Sequence, residues 1–212
     1  MVRPRPSGIT LHAFDESTRA LVRASAALAG GSEAVVRREL AAAASTTPHP
    51  WMEELLLQTY LFAGFPRALN GMREWRRLAP LGSEEPDRAT TAQLTERGED
   101  TCARVYGSMY ERLRDNVRRL HPLLDEWMIV EGYGKVLSRP ALDLPRRELC
   151  IVAACAATAQ DRQLQSHLHG ALNAGVDAPV VTATLGALDD LVASDALDRA
   201  SGLWNRIRND IH

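Results

Sequence analysis

The sequence has no Cys-x-x-Cys pair, no run of eighteen apolar residues, no dense stretch of Lys and Arg, and few β-branched runs. Its three cysteines, Cys102, Cys150 and Cys155, are an odd number in a chain without an export signal, which argues against a disulfide framework. The missing apolar run argues against a membrane span. The basic start MVRPRPSGIT is followed by no apolar segment of signal-peptide type, so a cytoplasmic location is expected. Lys and Arg number 25 against 27 Asp and Glu, a net charge of −2, and no basic stripe is present to follow a phosphate backbone. Nucleic acid is therefore not an expected partner.

What is present is ample apolar material, 45% of 212 residues, enough to bury a substantial core. Ala, Leu and Arg dominate, and apolar positions recur at three and four, which predicts helices almost throughout. The expected class is all-α. The segment 79–97, rich in Pro, Gly, Ser, Thr and charge, reads as a linker. Sliding the chain against itself gives an ungapped register at an offset of 128, in which Arg19, Leu21, Ala26, Ala29, Leu40, Ala43 and Leu57 fall on Arg147, Leu149, Ala154, Ala157, Leu168, Ala171 and Leu185. Two helical hairpins of equal length follow from it, and two copies can pack about a pseudo-twofold axis. The expected organisation is a tail over 1–18, a first degenerate repeat over 19–78, the linker, and a second repeat over 98–208.

The stretch RRELCIVAACAATAQDRQLQSHLHGALNAG, 146–175, concentrates the chemistry. Pro145 suits a first helical turn, with Asp143 or Leu144 before it, and the helix is expected to run to about Thr158. Asp161 is the expected cap of the next helix and Gly175 its stop. At roughly 100° per residue, Leu164, Leu168, Ala171 and Leu172 form one stripe. His167 flanks it beside Gln163, and His169 points about 200° away from His167. Two histidines so placed cannot grip one metal ion. Cys150 and Cys155 are about 140° apart on their helix and read as small apolar filler. Glu148 lies early in the preceding helix; it is either a surface charge near a helix N-terminus or the partner of His167, and spacing alone leaves both readings open. If they meet, the carboxylate orients the imidazole for general acid/base work. His121, before Pro122, marks a helix break; Trp127, Met128 and Tyr133 share a spacing that predicts core. The cluster RDNVRRL, 114–120, reads as a solvated face.

Tyr133, Gly134, Arg139, Pro140, Leu142, Arg147, His167, Gly170, Ala171 and Gly175 together resemble the carboxymuconolactone decarboxylase family: an aromatic-Gly pair, an R-P-G-L turn, an Arg-led helix, then H-x-x-A-x-x-x-G. Here Ala141 replaces the glycine of the turn. PWMEELLLQTYLFAGFPRALNGM, 50–72, resembles the E-x-x-x-Q-x-x-x-Y-x-G-x-P-x-A helix pair of the same family. The resemblance implies an alkylhydroperoxidase D-like helical bundle built from two degenerate helical-hairpin repeats. It also implies a homo-oligomer, with a trimer expected for a tandem chain.

In the family's disulfide reductases the relay is a glutamate, a Cys-x-x-Cys and a histidine. Counted from Glu148, the thiol positions fall on Gln160 and Gln163 and the histidine on His167, so a dithiol redox site is excluded. The namesake reaction removes CO2 from an acidic lactone without metal or cofactor. By resemblance, His167 is then the proton donor and Glu148 its orienting partner. Arg139 and Arg147 are candidates to hold substrate carboxylates, with Tyr133 and Gln163 as further contacts. The first repeat lacks R-P-G-L and has Glu39 at the His167 position, and the second lacks the aromatic-Gly-Pro turn. One complete site per chain is therefore expected, with Tyr60, Phe62 and Phe65 facing Glu148 and His167. The expected function is cofactor-free decarboxylation or isomerisation of a small acidic or lactone molecule; the alternative is a non-catalytic oligomeric ligand- or partner-binding relative, and a third, less favoured, is an alkylhydroperoxidase-type antioxidant activity.

Overall fold

A computed structural model describes residues 10–82 and 87–210. Two αα-hairpins head the two repeats. In the first, Asp15 caps α1 (Glu16–Gly30) by accepting from Thr18 N, and Ser32 caps α2 (Glu33–Ala43). α3 (His49–Ala63) and α4 (Phe65–Trp75) follow, the latter entered through Gly64 at φ +82°, a value that suits glycine. Four more helices close the chain: α8 (Leu144–Ala157), capped by Asp143, then α9 (Asp161–Asn173), α10 (Ala178–Gly186) and α11 (Ser194–Asp210). Gln160, not Asp161, is the cap position of α9, and Asp161 is its first helical residue. α1 and its cap precede α8 and its cap by 128 positions, and α2 precedes α9 by the same 128.

The two hairpins meet through α1 and α8. Their facing sides are lined with alanine, so the backbones approach closely: Ser25 donates to the Cys150 carbonyl at 2.6 Å, and a Cβ on Gly30 would lie 2.8 Å from the Ala157 oxygen. Arg146 donates to Thr18 Oγ1 at 2.9 Å and pairs with Asp15 and Asp143 at 3.0 and 2.6 Å. Thr18 and Arg146 are the same position in the two repeats. Contact between equivalent positions is what a twofold arrangement produces at its axis.

Between the two hairpins lies a third group of elements: α5 (Thr91–Tyr106), a 3-10 turn, the hairpin of α6 (Tyr110–Leu120) and α7 (Pro122–Trp127), and a π-helix over Met128–Leu137. α5 starts from a Thr90–Gln93 capping box, inside the 79–97 segment expected as linker; residues 83–86 of that segment lie outside the described residues. Of the expected tail, residues 1–9 also lie outside them, and Leu11 is bridged to Val176 through Leu11 N to Gly175 O at 3.0 Å and Asp177 N to Leu11 O at 3.1 Å.

α5 and the π-helix cross at two glycines. A Cβ on Gly98 would overlap the Ile129 carbonyl, and one on Gly134 the Leu94 carbonyl. This crossing buries Tyr133. Trp127, expected in the core, is 54% exposed, because α7 packs its other side inward and carries Asp125 there, clamped by Arg114 and Arg118. Arg114 and Arg118 thus hold an internal carboxylate, in a segment expected to be a solvated face.

Candidate active site

Glu148 and His167 come together. The α8–α9 hairpin sets His167 Nδ1 2.8 Å from Glu148 Oε2, with Glu148 fully buried and His167 only 5% exposed. In the tautomer in which Nδ1–H donates to Oε2, Nε2 is the ring nitrogen left for proton exchange. Gly170, one turn after His167, is what admits the carboxylate: a Cβ there would lie 2.5 Å from Glu148 Oε2 and 2.8 Å from Val105. Gly170 stands where H-x-x-A-x-x-x-G has its alanine, and here the missing Cβ makes room for the pair. The second oxygen, Oε1, is buried without a hydrogen-bond partner among the described residues.

Aromatic rings enclose the imidazole. Phe62, from α3 of the first repeat, meets it edge-on at 5.7 Å, and Tyr106, at the end of α5, lies 6.5 Å away. Tyr133 stands behind Tyr106, their ring centroids 6.3 Å apart. Burial pushes the Tyr106 phenol up to about 12 and Tyr133 well above its ordinary range, so both are neutral donors at physiological pH. Tyr60 and Phe65 instead stack on each other at 4.8 Å, with Phe65 largely exposed.

The remaining expected site residues lie elsewhere. Arg139 and Arg147 both engage Glu54: Arg147 Nη2 at 2.6 Å, Arg139 Nε at 2.9 and 3.0 Å. Arg147, with no exposed surface, also donates to Leu142 O, Arg139 O and Gln58 Oε1. The carboxylate that these guanidiniums hold is one of the chain's own, and E-x-x-x-Q on α3 supplies both of its side-chain contacts to Arg147. Gln163 is exposed, as is His169. Burial pushes the thiols of Cys102, Cys150 and Cys155 each up to about 12, which leaves them un-ionised and poorly nucleophilic. Among the described residues no group of three or more His, Cys, Asp or Glu side chains is arranged to hold a metal ion.

Sequence reasoning missed Tyr106. The signal was available, because Tyr106-Gly107 is an aromatic-Gly pair like Tyr133-Gly134, but nothing in the spacing connects α5 to α9.

The offset of 128 explains why there is one such site. It carries His167 back to Glu39 and Phe62 forward to Asp190, and these two acids also come together. Arg23 lies between them, bonded to Glu39 at 2.9 and 3.1 Å, to Asp190 at 2.6 and 2.9 Å and to the Ala187 carbonyl at 2.9 Å. The pseudo-equivalent position is thus plugged by an ion cluster. Its hydrogen bonds from Arg23 hold the Asp190 carboxyl at about 2, below the ordinary 3.8. Because the folded-state value is depressed, this contribution is present above the ordinary value and lost as pH falls through about 2. Asp190→Asn is therefore expected to make the fall in melting temperature between about pH 5 and about pH 2 shallower. An unchanged acid slope would show that the cluster does not stabilise the fold through this group.

The sequence model of the carboxymuconolactone decarboxylase family matches residues 126–205, which include Tyr133, Glu148 and His167 but neither Phe62 nor Tyr106. Peroxisomal protein 2 of Schizosaccharomyces pombe is 31% identical over 60% of this chain and 62% of its own length. Peroxisomal protein 2 of Saccharomyces cerevisiae is 25% identical over 63% of this chain and 57% of its own. The chain therefore spans about three fifths of the length of these relatives. Among the described residues no helix is long and apolar enough to cross a membrane. Over residues 126–205 the chain is thus similar to the carboxymuconolactone decarboxylase family, and it has no Cys-x-x-Cys.

Proposed function

We propose that Glu148 and His167 form a cofactor-free acid/base site that moves a proton at carbon in a small carbonyl or lactone substrate, as decarboxylation or isomerisation requires. The observation that carries this reading is the buried 2.8 Å contact between His167 Nδ1 and Glu148 Oε2. Glu148 fixes the ring; His167 takes or delivers the proton. The tyrosine hydroxyls supply neutral donors for an oxygen that gains charge, the electrostatic help such a reaction needs. With Arg139 and Arg147 turned to Glu54, recognition of an acidic substrate rests on its carbonyl or lactone oxygen rather than on an arginine clamp. Access runs past Phe62, the half-buried ring over the imidazole.

The homo-oligomer, with a trimer as the favoured form, belongs to the same proposal; exposed Leu120, Leu123, Leu124 and Trp127 on the α6–α7 hairpin support it. So does the compartment: the yeast relatives' names refer to the peroxisome, which stands beside the cytoplasm as a location for this chain.

The test is deuterium incorporation from D2O into a panel of small keto acids and unsaturated lactones. Catalysed exchange is expected with the unaltered protein, lost in His167→Gln and reduced by about 10²-fold or more in Glu148→Gln. In parallel, 15N NMR is expected to show Nδ1 protonated and Nε2 as the bare nitrogen, with that preference lost in Glu148→Gln. Exchange indifferent to both substitutions would overturn the proposal. The closed surround of His167 favours a second reading, a structural pair in a non-catalytic relative. It predicts the same NMR result with no exchange on any substrate.

A further inference from the structure

Away from the family-matched residues, the first repeat contains a groove of about 530 Å3 between α2 and α4. That volume is of the size that takes a small molecule, for which about 300–1,000 Å3 is usual. Its floor is apolar, with Leu28, Val36 and Gly71, and its rim carries Arg37, Arg67, Arg73 and Arg77 against Glu33 and Glu74. The pairing among these charges is incomplete. Glu74 is taken up by Arg77, at 2.9 and 3.1 Å. Arg37 has its nearest carboxylates at 3.7 and 3.9 Å, beyond hydrogen-bond range. Among the described residues Arg73 meets only Asn70 Oδ1, at 3.4 Å. Arg67 donates to the Leu28 and Gly31 carbonyls at 3.1 and 2.9 Å, which fixes it at the end of α1 without neutralising it.

The geometry points to a binding site for the phosphate group of a small molecule whose apolar part lies over Leu28 and Val36. Three guanidiniums facing one hollow, with no carboxylate of the described residues at hydrogen-bond distance, repel one another, and an anion that accepts from several of them relieves that repulsion. Guanidinium matches phosphate through paired N–H donors, a geometry lysine does not offer. Arg67, already held by two backbone carbonyls, is the oriented member, and Arg37 and Arg73 close from the two helices. This site does not depend on the acid/base reading of His167.

The experiment is a titration of the full chain with inorganic pyrophosphate at constant ionic strength, followed through arginine Nε–H signals and by calorimetry, with KCl as control. Saturable shifts at Arg37, Arg67 and Arg73 are expected. The double variant Arg37→Gln/Arg73→Gln, at two exposed positions, is expected to weaken binding by about tenfold or more, and Glu74→Gln to tighten it by removing a competing carboxylate. Vesicles of phosphatidylcholine with and without phosphatidic acid separate the sources: sedimentation with the acidic vesicles assigns the phosphate to a lipid headgroup, and its absence assigns it to a soluble ester. Shifts reproduced by KCl, or binding unchanged in the double variant, would overturn the proposal.

Discussion

Glu54→Ala is expected to destabilise the protein by about 3–5 kcal/mol, the range for breaking a buried ion pair from one side. Glu54 is fully buried on α3 and holds two guanidiniums, so its removal strands a cation with no route to water. Arg147 has no exposed surface, and its four acceptors, Glu54, Gln58, Arg139 O and Leu142 O, come from α3 and from the turn before α8. Arg139, whose side chain is 21% exposed, can turn outward; Arg147 cannot. Since total stability of a domain is about 5–15 kcal/mol, a loss of this size is visible as a large drop in the urea midpoint. Glu54→Gln keeps an acceptor while removing the charge and is expected to fall between the alanine variant and the parent. Equal midpoints for all three proteins would show that the pair is not what ties the two repeats together at this point.

Gly134→Ala is expected to cost at least as much, about 4 kcal/mol or more, a size that single substitutions seldom reach. The added methyl meets the Leu94 carbonyl, and Gly98→Ala meets that of Ile129, so backbone rather than a side chain must give way. Separating α5 from the π-helix also moves Tyr106 and Tyr133 off the imidazole. Gly132→Ala is the internal control: its nearest neighbour is Trp127 O at 4.0 Å, so the methyl fits, and alanine's better helical propensity is expected to be neutral to stabilising by about 0.5–1 kcal/mol. Thermal unfolding of the three variants checks the contrast. A Gly134→Ala protein as stable as Gly132→Ala would mean that the crossing is not close-packed.

Much of the local structure was legible beforehand. Asp143, Pro145 and Gly175 punctuate helices for reasons that belong to their own backbone geometry, and the 128-residue register shows in matched alanine and leucine positions. The same holds for what cannot occur: with Gln160 and Gln163 at the thiol positions, no packing restores a dithiol. His167 was readable as the half-buried histidine of α9 and His169 as the exposed one, because both statements concern angles round a single helix.

Other features were out of reach. The motif arginines suggested a clamp for a bound carboxylate, and the partner turned out to be Glu54, eighty-five positions from Arg139. Trp127 has a core-like spacing yet faces outward, because Asp125 takes the inner side of α7 with its two arginines. Tyr106 joins the site only because two glycines let α5 cross the π-helix, and a π-helix has no signature in a 3.6-residue period.

By itself the sequence determined an all-helical chain, the start of α8 and the end of α9, a doubled hairpin, and chemistry without paired thiols. These depend on short-range backbone preference and on residue identity. Only the tertiary structure decided that Glu148 reaches His167, that Phe62 and Tyr106 enclose it, and that Arg23 fills the matching position of the other repeat. The physical reason is that contacts between helices are set by how closely their backbones approach, and that distance depends on alanines and glycines from segments far apart in the chain.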